Sequence, residues 1–283
     1  MNTFREYHPG VTALYFLAVI TVNIVVFDPV LFGISFVSQS VFYFYLKGTR
    51  VGILFAGKCL AFVVMCTVVN AFVNHRGGSV LFFAGGLPVT LECIFYGIMT
   101  GFLLSDSILS FSCYHSIMTS EKVMCLTGNF FPSFSLVLSM ALGLVPKLKR
   151  DYGKLRENHK LVKNYKVQTG ILSALIGFSL EDSLEMGVSM RYRGFGRGKR
   201  TSVYGRRFQV RDGILLSVIF LCAASGMAVY VRSGTGLEVF PFIEYYYNGA
   251  GLAAYMIFTV LYNIPMALNV KEELKWKRIV SKI

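Results

Sequence analysis

Long apolar stretches alternate with short polar segments along most of this chain. Six of these stretches, by length and composition, predict helices that could cross roughly 30 Å of hydrocarbon. Turn-forming residues separate several of them, for example Asp28-Pro29 and the polar residues 47–50. The predicted spans are residues 11–27, 30–46, 51–73, 89–111, 213–231 and 249–269.

Composition supports an integral membrane protein. Of the 283 residues, 54% are hydrophobic and only 15% are charged, and the mean hydropathy is +0.57. A soluble nucleic-acid-binding protein can be equally basic, but it does not carry repeated apolar stretches of this length, so no nucleic-acid partner is expected. The predicted fold class is an all-α integral membrane protein with about six transmembrane helices and further long helices on the cytoplasmic side.

The positive charges are concentrated in the middle of the chain. Sixteen of the 28 lysines and arginines lie between residues 147 and 211, against five acids. With a cytoplasmic N-terminus, six spans place 25 basic residues inside and two, Arg76 and Arg232, outside, while Lys58 lies within a span. This asymmetry follows the positive-inside rule and predicts that both termini face the cytoplasm.

Two further apolar segments complicate this topology. Residues 130–145 could be a short span, but a crossing there would move the following basic block outside. We therefore predict a helix that starts near Pro132 and lies at the cytoplasmic membrane surface or against the other helices. Residues 170–190 contain Glu181, Asp182 and Glu185, which favour an interfacial helix. The predicted organisation is residues 1–112 with about four spans, a cytoplasmic-facing region 113–211, and a C-terminal two-span hairpin with a basic tail, 212–283.

Several motifs favour packing over chemistry. Residues 52–59 nearly match a nucleotide-binding loop, but Cys59 replaces the magnesium-binding hydroxyl and the segment lies inside a predicted span. Gly97 and Gly101 form a G-x-x-x-G pair, for which close packing within the chain is preferred over a partner contact. Glu92 and Asp106 could mark a proton or ion path, but their positions near the span ends favour interfacial solvation at least as well.

No pattern of metal-binding, cofactor-binding or catalytic residues is recognisable. The six cysteines include no C-x-x-C pair, and the four histidines are too scattered for a zinc site. No cluster of His, Asp and Glu has catalytic spacing. We therefore expect neither a catalytic residue nor a metal or cofactor, and we expect the chain not to be an enzyme.

The densest functional signal is the segment from Arg191 to Thr201, with the sequence RYRGFGRGKRT. Arginine forks bind carboxylates in a bidentate geometry, and the neighbouring glycines let the backbone bend close to a surface. A polybasic segment next to a membrane is also attracted to anionic lipid, by about 1 kcal/mol per residue. Composition leaves both interpretations open.

Several motifs resemble, in order and spacing, the transmembrane T component of energy-coupling factor (ECF) transporters, the CbiQ-like family. They are distributed along the chain from residue 8 to residue 278. Arg193-Gly194-Phe195 is the most specific, although Tyr192 stands where the family has a small residue. The other similar segments are His8-Pro9, Asn74-His75-Arg76-Gly77, GGLPVTLE at 85–92, FSCYHSIMTSEK at 111–122, FPSFSLVLSMALGLVP at 131–146 and KEELKWKR at 271–278.

The resemblance implies a coupling scaffold that performs no chemistry itself. It would join two cytoplasmic ABC ATPase subunits to a small substrate-binding membrane protein, in the plasma membrane of a bacterial or archaeal cell, for uptake of a vitamin, another micronutrient or a transition-metal ion. Arg191, Arg193, Gly194 and Arg197 would contact the ATPases at the end of a coupling helix. Arg156 is a weaker match to the family's earlier arginine motif, and residues 143–146 lack the arginine that the family has there.

Two other classes of protein remain as alternatives. A self-sufficient secondary transporter or channel would use Lys58, Glu92 and Asp106 as polar lining residues. A membrane-embedded enzyme is the third possibility, and no residue pattern favours it. The substrate itself is not predicted, because in the ECF architecture another polypeptide would hold it.

Overall fold

The structure is a computed structural model. It describes residues 3–74, 77–84, 87–160, 167–197, 208–240, 243–246 and 248–280. Helices carry most of these residues, after a short 3-10 helix at Thr3–Glu6. The α-helices are α1 Pro9–Val25, α2 Pro29–Lys47, α3 Thr49–Val73, α4 Leu91–Ile117, α5 Ser120–Phe130, α6 Pro132–Lys160, α7 Val167–Tyr192, α8 Val210–Ser233 and α9 Gly249–Val280.

The predicted all-α membrane fold class is confirmed at the level of helix length and composition. Among the described residues, five helices, α2, α3, α4, α8 and α9, are long and apolar enough to cross a membrane. The first helix, α1, is apolar but shorter, with 17 residues. Each of the six predicted spans therefore coincides with an apolar helix, and five of the six reach the length that a crossing requires.

Local sequence signals determine where several helices begin. The carboxylate of Asp28 accepts a hydrogen bond from the backbone N–H of Val30 at 3.0 Å and so caps α2, and Pro29 supplies the first helical position. Gln209 and Asp212 form a reciprocal capping box at the start of α8. Gly48, with φ 85°, makes the sharp break between α2 and α3.

Two short antiparallel hairpins connect helices. Strands β1 (Val80–Ala84) and β2 (Leu87–Thr90) pair before α4, and β3 (Gly236–Glu238) pairs with β4 (Glu244–Tyr246) before α9. Glu92, in the first turn of α4, is buried and accepts hydrogen bonds from both the backbone N–H and the hydroxyl of Ser79. This contact ties the first hairpin to the start of α4.

The chain divides into two compact units. Unit 1 comprises residues 1–119 and 207–283, and unit 2 comprises residues 120–206. Unit 1 thus contains both the predicted N-terminal spans and the predicted C-terminal hairpin, while unit 2 contains α5, α6 and α7 from the predicted central region.

Helices α2, α4 and α9 form the interior of unit 1. In the apolar windows of α2 and α9, 44% of residues are buried, and in that of α4, 39%, but in those of α3 and α8 only 17%. Phe258, Leu261 and Leu109 have no exposed surface and belong to a core that also includes Tyr15. The outer faces of α3 and α8 are exposed and apolar, as expected for helices that face lipid.

The G-x-x-x-G pair serves contacts within the chain, as the preferred interpretation predicted. A Cβ atom at Gly97 would lie 2.9 Å from the Cα of Thr67, and one at Gly101 would lie 2.9 Å from the Cα of Val63. Because backbone atoms of α3 occupy this space, only glycine permits the observed approach of α3 to α4.

Candidate functional site

The candidate coupling residues Arg191, Arg193, Gly194 and Arg197 lie together in unit 2, at the end of α7. We call residues 191–197 the arginine turn. Arg191 is in the last turn of α7, and the other three follow in the turn that ends the helix. The side chains of Arg191, Arg193 and Arg197 are exposed. The structure therefore presents three guanidinium groups within one short segment at a helix terminus.

The backbone of the arginine turn forms a Schellman motif. The N–H of Phe195 donates to the carbonyl of Met190 at 3.0 Å, and the N–H of Gly194 donates to the carbonyl of Arg191 at 3.0 Å. Gly194 adopts φ 79°, a left-handed conformation that an L-residue with a side chain adopts only at a cost. The Arg-Gly pair is therefore a helix stop that holds arginines beside the last carbonyls of α7.

The location of the arginines suits the electrostatics of a helix end. The unpaired carbonyls at a helix C-terminus carry a partial negative charge, which stabilises nearby cations. The guanidinium groups can thus stay exposed and charged while the helix end remains stable. Exposed aromatic side chains lie between them: Tyr192 is 89% exposed and Phe195 is 50% exposed. This combination of arginine and aromatic residues is enriched where proteins bind partner proteins.

An apolar row runs along α7 towards the arginine turn. We call it the α7 ridge: Leu172, Ile176, Leu180, Leu184 and Val188, spaced four residues apart. Each of these side chains is at least half exposed, and Leu184 reaches 73%. Residues four apart lie on neighbouring turns of one helix face. Beside the end of the ridge, Leu184, Glu185, Val188, Ser189, Tyr192 and Arg193 line an open hollow.

The weaker candidate, Arg156, lies on another element of unit 2. It is exposed near the C-terminal end of α6, and no glycine stop of the Schellman type is described there. Lys147 on α6 forms an ion pair with Asp182 on α7. The hydrogen bond that the Lys147 ammonium donates to the Asp182 carboxylate raises the pKa of Lys147 above its ordinary value, so this lysine is charged at neutral pH.

The three residues of the alternative transporter hypothesis lie in different surroundings. Lys58 is exposed on α3, whereas Glu92 caps the first hairpin at the start of α4. Asp106 follows Glu92 by 14 residues on the same helix, about 21 Å along its axis. Asp106 is also fully buried in the middle of α4, so interfacial solvation near a span end, one of its two expected roles, is wrong.

The near-match to a nucleotide-binding loop is part of a regular helix. Residues 52–59 lie inside α3, where the backbone N–H groups are used within the helix and cannot bind phosphate. Among the described residues, no group of three or more His, Cys, Asp or Glu side chains could hold a metal ion.

Neither the models of known protein families nor the curated proteins compared with this chain give a match. The class of protein that the fold itself defines is a helical membrane protein with a separate, basic helical unit.

Proposed function

We propose that this chain is the transmembrane coupling subunit of an ECF-type ABC importer. Unit 1 would anchor the protein in the membrane through six spans, with both termini in the cytoplasm of a bacterial or archaeal cell. Unit 2 would bind two cytoplasmic ATPases and a small substrate-binding membrane protein. ATP-driven motion would pass through unit 2 to the substrate-binding protein, which carries a vitamin, another micronutrient or a transition-metal ion.

The arginine turn is the observation that carries this proposal. A helix ending in a glycine stop, with exposed arginines and aromatics around it, forms a compact projection that a groove in a partner can enclose. Guanidinium groups pair with carboxylates through two parallel hydrogen bonds, so a partner with acidic residues in that groove would hold the projection in one orientation. Fixed orientation is what the transmission of motion between subunits requires.

The α7 ridge supports a second contact. Its exposed apolar surface is stable only in contact with lipid or with another protein, since such a row is unfavourable in water. A helix that carries this ridge along its length and the arginine turn at its end can contact a membrane protein and a cytoplasmic protein at the same time. The charge distribution of the chain agrees, because the basic residues of unit 2 belong on the cytoplasmic side.

The packing of Asp106 argues against the self-sufficient transporter. Its side chain has no exposed surface, and protein donors occupy both of its carboxylate oxygens. A carboxylate in an ion path has to face a water-filled cavity or exchange partners with the ion.

Charge reversal at Arg193 tests the proposal. The tagged wild-type chain, purified in mild detergent from the membranes of its own organism, should carry ATPase activity with it. Arg193→Glu should leave membrane insertion intact but remove that activity. Breaking a buried charge pair costs about 2–5 kcal/mol, which weakens binding by at least about 30-fold. Retention of ATPase activity by Arg193→Glu would contradict the proposal.

Two matched variants show whether the effect is specific. Arg150→Glu places the same change on exposed α6 within the same unit, and Arg232→Glu places it at the end of α8. Both should retain the ATPase. If attraction to anionic lipid were the only role of the arginines, no ATPase should copurify even with the wild-type chain, and Arg193→Glu should behave like Arg150→Glu. Solute uptake by the chain alone in liposomes, driven by an ion gradient, would instead support the secondary transporter.

A further inference from the structure

A carboxylate is buried inside unit 1, among helices whose composition is mainly apolar. Asp106 is near the middle of α4 and has no exposed surface. Ionisable side chains at such depth are rare and are costly unless hydrogen bonds or charges compensate them. A buried carboxylate at this position therefore requires an explanation in terms of its partners.

Three side chains from two other helices donate hydrogen bonds to this carboxylate. The amide of Asn23 on α1 donates to Oδ2 at 2.6 Å, and the amide of Gln39 on α2 donates to Oδ1 at 3.1 Å. The hydroxyl of Ser35 on α2 also donates to Oδ2. Asp106 thus links α4 directly to α1 and α2.

A second set of contacts holds the donors in place. The hydroxyl of Tyr262 on α9 donates to the side-chain oxygen of Asn23. The amides of Asn23 and Gln39 both donate to the hydroxyl oxygen of Ser35, at 3.0 Å and 2.9 Å. Within this cluster, hydrogen bonds between polar side chains therefore connect α1, α2, α4 and α9.

Such contacts specify one helix arrangement in a way that apolar contacts do not. Lipid tails are as apolar as leucine, so apolar helix faces gain little from one register over another in a membrane. A hydrogen-bonding group that loses its partner in the apolar interior costs about 1–3 kcal/mol, because no water replaces that partner. Any sliding of α4 against α1 and α2 would break several of these bonds together.

We propose that Asp106, Asn23, Ser35, Gln39 and Tyr262 form a buried polar latch that holds α1, α2, α4 and α9 in a single arrangement. The latch makes this part of unit 1 move as one rigid body. It belongs to unit 1 alone and does not depend on the proposed ATPase partners, so it can be tested on the isolated chain.

Cys113 provides a built-in reporter of opening. It is a free, buried cysteine on α4, seven residues after Asp106 and therefore on the same helix face. The full chain in lipid nanodiscs is treated with N-ethylmaleimide, and modification of each cysteine is followed by peptide mass spectrometry. Asp106→Asn keeps the size of the side chain but replaces one acceptor oxygen with an NH2 group, which then faces the donors of the neighbouring side chains. Asp106→Leu removes both acceptor oxygens.

In both variants, N-ethylmaleimide should modify Cys113 about tenfold faster than in the wild type, or faster still. A tenfold change corresponds to about 1.4 kcal/mol in the free energy of opening. Tyr262→Phe, which removes only the link to α9, should give a smaller increase. Ser107→Ala is the matched control, because among the described residues its hydroxyl donates to the carbonyl of Leu103 within α4 and takes no part in the latch. It should label at the wild-type rate.

Other outcomes would overturn the latch. If Cys113 in Asp106→Leu is modified at the wild-type rate, and the melting temperature is unchanged or higher, an apolar residue serves equally well at this position. Equal acceleration at Cys59, a buried cysteine on α3 of unit 1 outside the latch helices, would indicate general unfolding of unit 1 and not local opening. If Asp106→Leu does not insert into the membrane, Asp106→Asn and Tyr262→Phe decide the question by the same criteria.

Discussion

The two units of this protein differ most in what they bury. Unit 1 has a continuous core of aromatic and aliphatic side chains, with buried polar residues inside it. In unit 2, by contrast, Cys125 and Ile171 are the two hydrophobic side chains that are buried among the described residues. Helices α6 and α7 of unit 2 are as long as the long helices of unit 1, but many of their apolar side chains are exposed.

This contrast separates two sources of stability. Helices of unit 1 are held by contacts that the chain makes with itself, and their outer faces suit lipid. Helices of unit 2 bury few of the side chains that the structure describes, so contacts within the chain contribute less to their stability.

The largest expected effect is at the glycine contact between α3 and α4. Gly101→Leu should abolish folded, monodisperse protein, because the Cβ atom alone would lie 2.9 Å from the Cα of Val63. Because α3 and α4 would have to separate, the cost should exceed both the about 1–3 kcal/mol typical of overpacking and the about 2–5 kcal/mol of a single core truncation. Gly57→Leu is the control, since a Cβ there meets nothing within 4 Å. Size-exclusion chromatography in detergent distinguishes the two, and equal yields would contradict the close approach.

A pair of leucine truncations compares the two units directly. Leu109→Ala in unit 1 removes a side chain with 0% exposure and should lower the free energy of unfolding by about 2–5 kcal/mol. Leu184→Ala on the α7 ridge removes a side chain that is 73% exposed and should change stability by less than about 0.5 kcal/mol. Thermal unfolding of the isolated chain, followed by circular dichroism, measures both. A similar loss in the two variants would show that unit 2 has a core of its own.

The smallest expected effect is local to the arginine turn. Gly194→Ala places a side chain at φ 79° and should cost about 1–2 kcal/mol. Amide hydrogen exchange in the last turn of α7 should then be about 5- to 30-fold faster, with unit 1 unaffected. Gly187→Ala lies within α7 with nothing near its Cβ position and should instead slow exchange. Unchanged exchange in Gly194→Ala would contradict the helix-stop role.

Hydrophobic patterning predicted the helices closely, but it missed features that depend on weaker signals. The predicted span 51–73 corresponds to α3, Thr49–Val73, whereas the last helix continues beyond 269 to Val280. The helix continues through the charged tail because KEELKWKR is rich in strong helix formers. The first hairpin was also missed, although Gly85-Gly86 between two strand-like runs is a hairpin signal.

For the candidate site, the sequence identified the arginines and the glycine but not their geometry. The grouping of Arg191, Arg193 and Arg197 is visible as a string of residues, because they are close in the chain. The Schellman motif that arranges them became evident from the backbone hydrogen bonds. Their role in contacting ATPases remains a prediction.

The sequence by itself determined the membrane class, the apolar helices and the concentration of positive charge, because hydropathy and charge are local properties of the chain. Tertiary structure alone decided which helices are interior and which face outward, and that Gly97 and Gly101 meet α3. It also decided that Asp106 meets side chains more than 60 positions away, such as Asn23 and Gln39. Contacts between distant residues depend on how helices pack, and no local pattern encodes that arrangement.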